Sequence, residues 1–224
     1  MYIAHFAPAF IAAAAYSRGP KLGTYFVAAQ LVDWGFFIFA WIGIEKMRMV
    51  PGITAMNPLD LYFIPFTHSL LGAAVWAVTF GIIVAIWSKD RLGGLLAALV
   101  VASHWLLDWL VHRPDLTIAG GEQRHGLGLW NHPEIAIPLE IALLLGAFLF
   151  YILRSRGPAM PPLILISVMM AFQMINWFGP EPTVAGPMFY GQALLSFAIS
   201  TGLAVWVAKN RYFTQRGGLA APAL

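Results

Sequence analysis

The sequence contains no cysteine. That excludes disulfides, thiolate zinc sites and cysteine nucleophiles, and leaves the compartment open. Charge is the second scarcity. Only 10% of the 224 residues are Asp, Glu, Lys or Arg, against about 25% in an ordinary soluble domain. So few charges cannot coat the surface of a sphere of this size. A disordered chain, a nucleic-acid-binding protein and an ordinary soluble enzyme are excluded on that ground. Internal repeats and low-complexity domains are missing as well. What the chain has instead is apolar: 60% hydrophobic residues and a mean hydropathy of +0.74. These values describe a polytopic membrane protein.

A helix needs about 20 apolar residues to cross a bilayer. Seven segments qualify, at roughly 1–17, 22–45, 61–87, 92–112, 133–153, 161–179 and 188–208. They predict an all-α transmembrane bundle of about seven helices, one integral membrane domain over 1–224. Helices 1–5 occupy 1–153, helices 6–7 occupy 154–208, and 209–224 form a short mobile cytoplasmic tail. The first segment lacks a basic leader and contains His5, so it reads as a retained helix rather than a signal peptide. Basic residues set the orientation. Arg18, Lys21, Lys89, Arg91, Arg154, Arg156, Lys209, Arg211 and Arg216 share one side, nine in all, and Lys46, Arg48, Arg113 and Arg124 the other, four in all. That split predicts an outside N-terminus and a cytoplasmic C-terminus. Trp41, Trp87, Trp130 and Trp206 fall near segment ends, where indole favours the interface.

The informative residues are ionisable ones inside apolar runs: His5, Asp33, His68, His104, Asp108 and Glu140, with His112 at a segment edge. A charge at the bilayer centre costs about 2.5–3.5 kcal/mol on insertion scales and usually faces a bundle interior or cavity. In Ser103-His104-Trp105-Leu106-Leu107-Asp108, the i, i+4 spacing puts His104 and Asp108 on one helix face. That pair alone is equally a bidentate metal pair or a buried histidine neutralised by its neighbour. Depth separates the two readings. On the seven-helix arrangement all six residues fall at mid-depth or in the outer half, with His5 near the outer surface. Independent polar residues would scatter, so one shared site is favoured. Imidazoles and carboxylates together suit a divalent metal, Zn²⁺ first and Mn²⁺ or Fe²⁺ less specifically. The ion would also offset the buried carboxylates.

With a metal present, Glu140 is the expected general acid–base, because burial raises a carboxyl pKa. Thr67, Ser69 and Ser103 are candidates to orient the ligands. The loop 113–132 carries Arg113, Arg124, His125, Trp130, Asn131 and His132 on the same expected face. Together with His112, it could cover the site and bind an anionic head group. Taken singly, each of these loop residues reads first as ordinary solvated loop chemistry. His132 before Pro133 could simply cap a helix, and Glu134 could complement its dipole.

Thr67-His68-Ser69-Leu70-Leu71 followed by Ser103-His104-Trp105-Leu106-Leu107-Asp108 resembles the bacterial membrane-bound metal-dependent hydrolases. The order of an N-terminal His, a helix-2 Asp, Thr-His-Ser and Ser-His-x3-Asp is distantly similar to zinc-dependent phospholipase C. The resemblance covers roughly residues 1–145. Gly126-Leu127-Gly128-Leu129-Trp130-Asn131, with Glu140 beyond it, also looks like members of the hydrolase group. The resemblance implies metal ligands at His5, Asp33, His68, His104 and Asp108. It further implies a bacterial inner-membrane hydrolase of an ester or phosphoester on a lipid-like substrate. Many relatives carry paired aspartates in helix 2, where Gln30-Leu31-Val32-Asp33-Trp34 supplies one. Relatives often have His-Arg-Gly before Thr-His-Ser, where this chain has Ile64-Pro65-Phe66. These departures weaken the implication for a second metal and for a basic phosphate clamp. Two other classes stand beside the hydrolase: a transporter or proton relay using intramembrane His, Asp and Glu, and an accessory subunit with a membrane-protein partner.

Overall fold

The computed structural model describes residues 2–213. Its architecture is all-α. The long helices are α2 (Leu22–Trp41), α3 (Leu70–Ser88), α4 (Arg91–Val111), α5 (Pro133–Arg154), α6 (Met160–Phe178) and α7 (Pro187–Asn210). They follow a short first helix α1 (Ala7–Ala15), entered through a 3-10 turn at Ala4–Phe6. Two antiparallel pairings complete the fold: β1 (Lys46–Met49) with β2 (Leu59–Phe63), and β3 (Ser155–Arg156) with β4 (Tyr212–Phe213). Six helices are long and apolar enough to cross a membrane. Their outer faces are apolar too: Ile86 and Trp87 are each 73% exposed. An exterior of that kind is stable in lipid rather than water, and the protein is an integral membrane protein.

The first predicted helix is shorter than expected. The 3-10 turn and α1 together rise about 20 Å, well short of the roughly 30 Å hydrocarbon thickness. Instead of crossing, α1 is a buried plug against α2, α4 and α5. Its alanine-rich run, Ala7-Pro8-Ala9-Phe10-Ile11-Ala12-Ala13-Ala14-Ala15, lets neighbouring backbones approach closely. Phe6, Phe10 and Phe26 interlock beside it, with ring centroids 4.6 and 5.2 Å apart. Helix α5 holds both ends of this plug. Glu140 accepts from the backbone N–H groups of Ile3 (2.9 Å) and Ala4 (3.3 Å), and Arg154 Nε donates to Ala14 O at 2.9 Å. An anion at the start and a cation at the end match the helix dipole. The spacing also fits, because 14 residues of α5 rise about 21 Å. His5 therefore lies buried inside the bundle rather than near an outer surface.

A second correction concerns the segment read as a helix over 61–87. Its first part is strand β2, and α3 begins only at Leu70. Pro65 disfavours helical backbone at the residue before it, and Ser69 is a strong start signal. Ser69 Oγ accepts from Gly72 N at 2.9 Å and donates to Pro65 O at 2.6 Å. Helices α3 and α4 then form a tight hairpin. A Cβ added to Gly94 would lie 2.6 Å from Gly81 O, so the two glycines are what permit the close crossing.

The tail expectation is corrected as far as Phe213. Arg211 donates to Ser155 Oγ (2.8 Å), Ser155 O (2.9 Å) and the carbonyls of Gly157 and Pro158 (3.0 Å each). Residues 214–224, including Arg216, lie outside the described residues. With six long helices, the start of α2 and the end of α7 share one end of the bundle. That end carries Arg18, Lys21, Lys89, Arg91, Arg154, Arg156, Lys209 and Arg211; the opposite end carries Lys46, Arg48, Arg113 and Arg124.

Candidate metal centre

Helix spacing builds the heart of the site. On α4, His104 and Asp108 follow one another at i, i+4, and His112 caps the helix one turn further on. Asp33 comes from α2, His68 from the segment just before the Ser69 cap, and His5 from the 3-10 turn ahead of α1. Four imidazoles converge on Asp108 or its neighbour Asp33. His5 Nε2 lies 3.1 Å from Asp108 Oδ1, and His112 Nε2 3.6 Å from the same oxygen. His104 Nε2 and His68 Nε2 lie 3.2 and 3.5 Å from Asp108 Oδ2. Asp33 Oδ1 stands 3.3 Å from His68 Nε2 and 3.5 Å from His104 Nε2. Of the six residues expected to share a site, His5, Asp33, His68, His104 and Asp108 come together and Glu140 does not.

The outward-facing nitrogens decide the protonation of three rings. His104 Nδ1 is 2.8 Å from Ala29 O. A carbonyl only accepts, so Nδ1 carries the proton and Nε2 of the neutral ring is bare. Thr67 Oγ1 donates to Glu45 Oε2 at 2.6 Å and therefore accepts from His68 Nδ1 at 2.8 Å. His112 Nδ1 donates to Asp115 Oδ1 at 2.9 Å. All three bare Nε2 atoms point into the cluster, the arrangement that orients metal-ligating histidines. His5 is buried, with its Nε2 turned to Asp108 Oδ1.

The outer partners are held in turn. Glu45 is folded back after α2 because Ile44 N and Glu45 N both bond to Phe39 O, at 2.8 and 3.2 Å. Its Oε1 then accepts from Phe66 N (2.8 Å) and Thr67 N (2.9 Å). Trp105 Nε1 donates to His68 O at 3.1 Å, fixing the backbone that carries that ligand. Asp115 is flanked by Arg113, which also pairs with Asp60, and its carbonyl accepts from Arg124 at 3.0 Å. Gly126, at φ +152°, brings its backbone against the His112 and Arg113 carbonyls, where a Cβ would not fit. Leu127 N and Gly128 N then close the end of α4 on Trp109 O (2.8 Å) and His112 O (2.7 Å).

Could a metal fit? A tetrahedral ion with ligands at about 2.0–2.1 Å separates neighbouring donors by roughly 3.3–3.4 Å. The four histidine–aspartate distances among His68, His104, Asp33 Oδ1 and Asp108 Oδ2 run from 3.2 to 3.5 Å, and the donors of Asp33, His68 and His104, like those of His5, His104 and Asp108, lie within 4.8 Å of one another. Nε2 of His104 is buried between the carboxylates of Asp108 and Asp33. The buried His and Asp groups can hold a metal ion. One side of the cluster is open. The Asp33 side chain is 19% exposed, whereas those of His5, His68, His104, Asp108 and His112 are at most 3% exposed.

The other expected residues divide. Thr67 bonds to His68, and Trp130 packs on His112 with ring centroids 4.2 Å apart. His112, expected near the ligands, points its Nε2 into the cluster itself. Arg124 acts at one remove, through Asp115. Ser69 is the cap of α3, and Ser103 donates to its own helix at Val100 O, 2.7 Å away. Asn131 accepts from Ala55 N at 3.3 Å, and exposed His132 faces Glu134 at 3.4 Å, so neither joins the cluster. Glu140, the expected acid–base, is turned to the start of α1, and Gln173 Nε2 reaches its other oxygen at 3.4 Å. Sequence reasoning missed Glu45, Asp115 and Trp105. His112-x2-Asp115 was a visible pairing signal, while Glu45 had none. No protein-family model, curated protein or solved structure matches the chain.

Proposed function

We propose that the protein is a zinc-type metal-dependent hydrolase of a bacterial inner membrane, acting on an ester or phosphoester of a lipid-like substrate. The observation that carries this reading is the buried cluster in which the donors of Asp33, His68 and His104, and those of His5, His104 and Asp108, lie within 4.8 Å of one another, backed by Glu45–Thr67 and the Ala29 carbonyl. Imidazole nitrogens mixed with carboxylate oxygens favour Zn²⁺ over cations that prefer six oxygens. When bound, the ion would polarise a carbonyl or phosphoryl oxygen and lower the pKa of water toward about 7. Asp33, the open member, borders the approach. It lies eight residues from the end of α2, about 12 Å along the helix, so an opening there lies within the hydrocarbon slab. A lipid-like substrate can approach from that side. The apolar surroundings of Trp34, Phe36 and Phe37 on α2 suit acyl chains and keep bulk water sparse.

The ring of Glu45, Thr67, Asp115 and Trp105 keeps the imidazoles aimed before substrate arrives, which is what preorganisation requires. The eight basic residues at the opposite end mark that end as cytoplasmic by the charge rule, so the site opens in the outer half. A relay reading is less well supported: the ionisable cluster occupies one half of the bundle, and Glu140 is engaged by the α1 backbone.

Metal content of the purified protein and hydrolysis of lipid carboxylic esters and phosphoesters in mixed micelles test this reading. The expected result is bound zinc and chelator-sensitive product release, both lost in His68→Ala and Asp108→Ala. Zinc-loaded protein inert across both ester classes would overturn the hydrolase reading while leaving the metal centre.

A further inference from the structure

The end of the bundle away from the metal cluster is concave as well as basic. A charge bias that sets orientation needs only the number of basic residues there. Three of them do more than add to that number. Arg18, Lys21 and Lys209 all border one cleft of about 660 Å³, set between the α1–α2 turn, the start of α2, the end of α3 and the end of α7. Small-molecule sites occupy about 300–1,000 Å³. A second cleft of about 210 Å³ adjoins it and shares Arg18, Pro20, Lys21 and Ala208. Gly23, in the wall of the larger cleft, precedes Asp33 by ten residues of α2. That is about 15 Å along the helix, so the cleft is separate from the metal cluster.

Other cations at this end are already engaged. Arg154 donates to Ala14 O, and Arg211 donates to Ser155 and to the carbonyls of Gly157 and Pro158. Arg18, Lys21 and Lys209 are exposed and form no ion pair among the described residues. One acid, Asp90, lines the cleft and accepts from Tyr16 Oη at 3.3 Å, so the three cations outnumber it. The first turn of α2 adds the same sign. It contains no acidic residue and no side chain caps it, and its free N–H groups favour an anion.

The opposite wall is apolar. Helices α2 and α7 touch at Gly23 and Val205, where a Cβ on Gly23 would collide with the Val205 side chain. Val205 and Ala208 of α7 and Trp87 of α3 line the cleft beside that contact. Trp87 is 73% exposed and Val205 40%, both on helices long and apolar enough to cross a membrane. An occupant therefore meets cations at the helix ends and apolar walls next to them. That profile fits an amphiphile with an anionic head better than a soluble anion.

We propose that this cleft binds an anionic phospholipid from the leaflet at the basic end. Its phosphate sits among Arg18, Lys21 and Lys209, and the upper part of an acyl chain lies along Trp87 and Val205. Basic pockets between transmembrane helices hold such head groups through the same combination. The lipid ties the end of α7 to the start of α2. It is a bound companion of the protein, distinct from any substrate of the metal cluster, and the site stands whether or not that cluster hydrolyses anything.

The test is native mass spectrometry of the full-length protein in a neutral detergent. It is titrated with phosphatidylglycerol or phosphatidylcholine of the same acyl chains, with and without inorganic phosphate as a soluble competitor. Wild type should retain one equivalent of phosphatidylglycerol in preference to phosphatidylcholine, with little displacement by phosphate. Each basic residue near an anionic head group is worth about fivefold in affinity. Lys21→Gln combined with Lys209→Gln should therefore weaken phosphatidylglycerol binding about 25-fold, leaving phosphatidylcholine nearly unchanged. Lys46→Gln, an exposed lysine at the opposite end, should leave the preference intact. Equal retention of the two lipids by wild type would overturn the proposal without recourse to any variant. Displacement of the lipid by phosphate alone would overturn the lipid occupant in favour of a soluble anion. An undiminished preference in the double variant, or an equal loss in Lys46→Gln, would overturn the assignment to this cleft.

Discussion

Thr67→Val is the most informative single perturbation, because it removes one oxygen and keeps the shape. Thr67 is buried, and its hydroxyl accepts from His68 Nδ1 at 2.8 Å while donating to Glu45 Oε2 at 2.6 Å. Valine breaks both bonds and leaves a buried imidazole and carboxylate each short of a partner. A hydrogen bond to a charged group contributes about 1.5–3 kcal/mol, and that loss should appear in the metal-free protein as a lower Tm. The second effect is specific to metal. Without the hydroxyl, nothing holds the proton on Nδ1, and His68 can present the wrong nitrogen. Losing such an outer partner typically weakens metal affinity 10–100-fold, equivalent to about 1.4–2.8 kcal/mol. The assay is competition with a chromophoric zinc chelator, alongside thermal unfolding in detergent with and without zinc. Since zinc stabilises by an amount set by concentration over Kd, the zinc-induced rise in Tm should shrink. Thr67→Ser restores the hydroxyl and should restore the affinity. If Thr67→Val binds zinc as tightly as wild type, the relay from Glu45 to His68 plays no part in holding the ion.

Three further outcomes are expected. Glu140→Leu should destabilise the fold by about 2–4 kcal/mol, since two buried N–H groups of the α1 entrance lose their acceptor. Glu140→Gln, which retains an acceptor oxygen, should keep turnover per folded molecule within a few-fold; a 10²–10⁴-fold loss would instead show general acid–base catalysis. Gly94→Ala should cost about 1–3 kcal/mol by overpacking, because the new Cβ would meet Gly81 O at 2.6 Å and Ala85 Cβ at 2.5 Å; an unchanged Tm would refute the tight hairpin. Stripping metal with a chelator should lower Tm and raise proteolysis around the segments carrying His5 and His68, and zinc should reverse both. Identical digestion patterns would refute coupling between the ion and these segments.

Much of the fold was legible because lipid imposes a simple rule: every crossing segment must satisfy its own backbone and be apolar. Composition and the length of apolar runs therefore determined the all-α class and the positions of α2 and α4–α7. The candidate ligands were legible for the same reason, since Asp33, His68, His104 and Asp108 are conspicuous in apolar runs. The i, i+4 step of α4 placed His104 and Asp108 together without any tertiary information. Hydropathy could not tell a half-length plug from a crossing helix, because α1 is as apolar as its neighbours. The Pro65–Ser69 boundary was visible in residue types but was outweighed by apolar residues on both sides.

Only the tertiary structure decided how the acids are used. Glu140 and Asp108 read alike as buried carboxylates, yet one closes the open end of α1 and the other sits among four imidazoles. Glu45, 22 residues before Thr67, meets it only because the chain turns back after α2. Periodicity along one helix reports which residues share a face. It carries no information on which face of another helix lies opposite, and a metal site is built from that second relation.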